Sequence, residues 1–140
     1  MLKLFKEIAR NCPKIEKLCI DVEPEDLDGL EELFLNCTQL KEVNLSTFNE
    51  GMIICDELLE ILMNFSPKTL YKFSYCEEWN FSVNGLQTFF ENWRSRIPIE
   101  FNTCFDRSMF YTEEHIAVLK KYLDEGVISK ETTYLTDVLM

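Results

Sequence analysis

Four asparagines, Asn11, Asn36, Asn64 and Asn92, mark the chain at steps of 25, 28 and 28 residues, and the residues around them repeat. Six positions before them stand Phe5, Leu30, Leu58 and Leu86. Three before stand Ile8, Leu33, Ile61 and Phe89, and two before stand Ala9, Phe34, Leu62 and Phe90. One position after come Cys12, Cys37, Phe65 and Trp93. All are apolar, and offsets of three and four gather them on one helical face. Each unit therefore opens with an amphipathic helix. Asn at its end suits the left-handed backbone that closes a last turn, and Pro13 stops the first helix from continuing.

A short extended piece follows each helix. It carries Ile15, Leu18 and Ile20 in the first unit and Leu40, Val43 and Leu45 in the second, in one spacing. The third has Leu70, Phe73 and Tyr75, delayed by two residues in "FSPKT". The fourth has Ile99 and Phe101, with Arg96 in the first apolar place. Alternation over these pieces predicts strands with one buried face. No such unit can bury its apolar side alone; neighbours must stack. The predicted fold is α/β: a short leucine-rich-repeat solenoid of about four helix–strand units, with parallel strands on the concave face. It requires Ile20, Leu45, Tyr75 and Phe101 to line up on adjacent parallel strands. An ordinary α/β domain with accidental periodicity would share the alternation but not the single ladder.

A C-terminal capping helix is expected near 113–124. Thr112 is placed to cap it, Ile116, Leu119 and Leu123 form its stripe, and Gly126 ends it. A short extended "VIS" follows. On this reading residues 1–128 form the solenoid with its cap, and 129–140 a loosely ordered tail. At the other end the chain opens inside a repeat helix, at Leu4 and Phe5. The first strand is then an open edge, which implies an array once longer or a partner at that edge.

Composition narrows the function classes. Fourteen Lys and Arg stand against 25 Asp and Glu, a net charge of −11. Such a chain lacks the basic surface that displaces counterions from nucleic acid, or that docks on anionic lipid. No apolar run approaches the roughly 20 residues of a membrane span, and the N-terminus is unlike a secretory signal. Six cysteines without a CxxC pair read as reduced thiols, placing the chain inside the cell, in cytoplasm or nucleus.

Candidate chemistry is thin. Cys12 and Cys37 occupy equivalent places filled elsewhere by Phe65 and Trp93, which marks an apolar slot rather than a metal pair. His115, the single histidine, has no neighbouring Ser or Cys and reads as a surface residue. The acidic run "DVEPEDLDGLEE" has its glycine in the wrong place for a calcium loop; Asp26 or Asp28 instead suits the start of the second helix. No catalytic residue, metal or cofactor is assigned. Two surfaces remain. Strand alternation points Lys17, Cys19 and Asp21 outward, then Glu42, Asn44 and Ser46, then Lys72, Ser74 and Cys76, then Glu100 and Asn102. This small face of mixed charge suits a protein or peptide partner, or is a solvated sheet. Trp79 and Phe81 form an aromatic patch on a loop, or pack on the next helix.

The stretches "LFKEIARNCPKIEKLCID", "LFLNCTQLKEVNLS", "FFENWRSRIPIEF" and "EEHIAVLKKYLDEGVI" together resemble the C-terminal leucine-rich-repeat (RNI-like) region of fungal F-box proteins. The resemblance covers nearly the whole chain. It implies a noncatalytic module that chooses an unknown protein substrate for a ubiquitin ligase. In that family an N-terminal F-box binds the Skp adaptor. These 140 residues contain no F-box, so the adaptor is expected only if one is supplied upstream. No family binding residue can be carried over, because substrate contacts differ between members. The alternatives are a truncated or free-standing repeat scaffold without a ligase link, and a small thiol or acid–base enzyme.

Overall fold

The apolar periodicity folds as its spacing demands. The computed structural model describes residues 2–46, 54–75, 80–103 and 112–132. Helices α1 (Leu2–Asn11), α2 (Leu27–Asn36), α3 (Asp56–Phe65) and α4 (Val83–Trp93) alternate with strands β1 (Lys17–Asp21), β2 (Glu42–Ser46), β3 (Lys72–Tyr75) and β4 (Glu100–Thr103). Helix α5 (Glu113–Asp124) follows. The strands form one parallel sheet in chain order, β1-β2-β3-β4, and each helix packs on the next. This α/β architecture is compatible with a small repeat solenoid.

The repeat positions make the core. Phe5, Leu30, Leu58 and Leu86 are all buried, as are Val43, Leu45, Phe73, Tyr75 and Phe101 from the strands. One contiguous apolar cluster joins the two layers. Phe101 touches Phe73, Tyr75, Phe89 and Phe90, with ring centroids 5.1–5.9 Å apart. Between α1 and α2 the approach is close enough to need glycine: a Cβ on Gly29 would lie 2.4 Å from the Phe5 ring.

Two expectations need correction. Ile20, Leu45 and Tyr75 do line up, but the fourth residue in that row is Thr103. Phe101 stands opposite Phe73, two residues away from its expected place. The fourth unit carries the same two-residue delay as the third: Phe101 follows Asn92 by nine residues, as Phe73 follows Asn64, whereas Val43 follows Asn36 by seven. The asparagines also differ from expectation. Asn36 and Asn92 remain inside the last helical turn. Their amides donate back to the carbonyls of Glu32 (2.7 Å) and Thr88 (2.8 Å).

At the β4 edge of the sheet the chain folds back on itself. Thr112 caps α5, accepting from the His115 backbone N–H, and Gly126 ends it with φ of 79°. Val127 and Ile128 then turn back along β4, with Ile128 bridged to Ile99 in parallel. Ile99 N–H donates to Val127 O (3.0 Å), and Ser129 N–H donates to Ile99 O (2.8 Å). Phe101 N–H donates to Thr132 Oγ1 (3.2 Å). Residues 129–132, assigned to the tail on sequence grounds, thus pack along this edge, with Thr132 buried. The rest of that tail lies outside the described residues.

Candidate functional site

Parallel register with period-two side chains sets like positions of successive strands side by side. The outer face of the sheet is therefore built in rows. The first is Lys17, Glu42, Lys72 and Glu100, the second Cys19, Asn44, Ser74 and Asn102. A third row begins with Asp21 and Ser46, whose hydroxyl donates to the Asp21 carboxylate.

Charge alternates along the first row, and the side chains pair across it. Lys17 Nζ lies 3.0 Å from Glu42 Oε2. Lys72 Nζ lies 3.5 Å from Glu42 Oε1 and 3.9 Å from Glu100 Oε2. The hydrogen bond from Lys17 holds the Glu42 carboxyl below the usual carboxylate range against the opposing effect of burial, with the Lys72 charge adding to it. The same hydrogen bond raises the Lys17 ammonium. Such exposed pairs add little to stability, because water and salt screen them. Their larger effect is positional: they hold long side chains in place at the rim of an open groove of about 350 Å³ over β1–β3. Asn44 and Ser74, both half-buried, offer hydrogen-bonding groups to that groove.

The face thus gathers Lys17, Asp21, Glu42, Asn44, Ser46, Lys72, Ser74 and Glu100 as the alternation predicts. Asn102 belongs to it by register but is only 7% exposed, so it is unsuited to contact a partner. Of the aromatic patch, Phe81 does not reach the surface. Phe81 is 2% exposed and meets Tyr75 edge-on at 5.3 Å, so it is core; Trp79 lies outside the described residues, as does Cys76.

No family model matches this chain, and neither a curated protein nor a solved structure does. The functional argument rests on the residues themselves.

Several polar residues take places the sequence did not disclose. His115 is buried rather than on the surface. Its Nδ1 accepts from Thr112 N–H (3.1 Å), so Nε2 carries the proton and donates to Phe81 O (2.8 Å). One ring nitrogen closes the helix start and the other ties α5 to the turn before Ser82. Asp26 precedes α2 but makes no side-chain cap bond, because a 3₁₀ turn, Pro24–Asp26, runs directly into the helix. Cys37 sits against Cys12 as the repeat implies, with its Sγ 3.5 Å from Cys12 O. Burial raises the Cys37 thiol, which keeps it protonated and a poor nucleophile or ligand. Among the described residues no three His, Cys, Asp or Glu cluster to hold a metal ion. No helix there is long and apolar enough to cross a membrane.

Proposed function

We propose that this chain is a noncatalytic protein-binding module of leucine-rich-repeat type, the substrate-recognition part of an F-box-like protein inside the cell. The open face of the sheet holds the partner. The observation that carries this reading is the Lys17–Glu42–Lys72–Glu100 row, fixed by its own ion pairs beside the groove. Side chains ordered before binding lose less freedom on contact. Alternating charge reads partner register more than it adds affinity. The F-box link comes from the sequence resemblance alone, and the Skp adaptor enters only through an F-box outside these residues.

The test compares affinity purification of the wild-type chain with that of Glu42→Lys on the face and Glu60→Lys on the exposed side of α3. Partners of the wild type should disappear with E42K and persist with E60K. Identical protein sets from all three would overturn the reading. Skp adaptor among the face-dependent proteins would support ligase recruitment; partners without it would leave a recognition scaffold.

A further inference from the structure

The two edges of the sheet are unequal. On either side of β1 the backbone groups of Glu16 and Val22 turn toward β2: Glu42 N–H donates to Glu16 O (3.0 Å), and Val22 N–H donates to Ser46 O (2.8 Å). Strand groups alternate in direction with a period of two. The N–H and C=O of Lys17, Cys19 and Asp21 therefore point outward, where no described residue meets them. Free strand edges of this kind pair with another strand. The side chains between them are also incomplete. Leu18 and Ile20 are only partly buried, whereas Val43 and Leu45 in the same rows are fully covered. Both lack a neighbouring strand on one side.

We propose that the occupant of this edge is β1 of a second copy of the chain, paired antiparallel about Cys19. The outward groups belong to odd-numbered residues, so odd residues must oppose odd residues in the new ladder. A register centred on Cys19 is the one that pairs the whole strand, Lys17 through Asp21. It sets Lys17 against the partner's Asp21, Leu18 against the partner's Ile20, and Cys19 against the partner's Cys19. Opposite charges then meet at both ends, and the half-buried apolar pairs meet in the middle. In a parallel ladder each residue bonds to the neighbours of the one opposite it, so the outward odd residues would stand opposite even ones and Lys17 would not meet Asp21. The Lys17 side chain is 79% exposed despite its contact with Glu42, so it is accessible to a second carboxylate. Cys19 is exposed as well.

Sedimentation velocity over a concentration series tests this on the full chain. Wild type should dimerise. D21K, which leaves the Lys17–Glu42 pair in place, should weaken dimerisation about tenfold or more, and K17D likewise. The double variant K17D/D21K restores opposite charges across the two-fold axis and should recover dimerisation. Far-UV circular dichroism and urea midpoints verify that each variant is folded. A short bismaleimide should link Cys19 to the partner's Cys19, seen as that peptide pair by mass spectrometry, and C19S should abolish it. A wild-type monomer throughout the series would overturn the proposal. So would a dimer indifferent to both charge reversals, failure of the double variant to recover, or cross-linking only through other cysteines.

Discussion

Arg96 occupies the neighbourhood where the fourth unit should have gone apolar, and it does a core residue's work by other means. Its guanidinium lies 3.7 Å from the centroid of the Trp93 ring. It donates to Ser66 Oγ (3.0 Å), Ser66 O (3.2 Å) and Pro67 O. One planar fork thus covers an indole and satisfies carbonyls of the preceding unit's turn, while burial lowers the tendency of the group to stay charged. Lysine keeps the charge but neither the plane nor the fork. R96K should lose about 2 kcal/mol of unfolding free energy by urea denaturation. This role was not legible in the sequence. A slot pattern registers only polarity, and there Arg96 reads as a defect. His115 was hidden for a related reason: the bond that fixes it to the preceding unit goes to Phe81 O, a backbone group that leaves no mark in side-chain spacing.

At the scale of elements, the sequence disclosed nearly everything that depends on period and little that depends on count. The four repeat helices, the cap from Glu113 to Asp124 and the glycine stop at Gly126 follow from spacing. The slip of Phe101 by two residues was invisible because strand faces repeat every second residue. A shift of two leaves every side chain on its own face, so Glu100 and Asn102 keep the face assigned to them even though their row changed. Helix α5 shows how the cap is attached. His115 bonds it to the turn before α4, and Tyr122 OH donates to Glu91 Oε2 on α4 (2.5 Å). H115A would leave the buried Phe81 carbonyl without that donor. It should cost about 1–3 kcal/mol in thermal or urea unfolding, with faster hydrogen exchange at Val127 and Ile128 than in β2.

Across the whole molecule, the α4–α5 contact predicts how stability follows pH. Glu91 is held down to about 2, first by the hydrogen bond from Arg94 and then by that from Tyr122. Between its ordinary 4.5 and 2 the unfolded chain binds more protons than the folded one. This contribution is therefore full above pH 4.5 and fades as pH falls toward 2. Urea midpoints measured through that range should slope upward with pH, and E91Q should flatten the slope. The partner remains less legible than the fold, because a face of paired charges records geometry without naming what it fits. The folded-back segment at Ile128 has one further consequence. It lies against the outer flank of the sheet at Ile99 and Phe101, so among the described residues copies joined through β1 present a far flank that is already partly covered. Assembly by that route counts to two and halts, and a filament would first need Val127 and Ile128 to peel away.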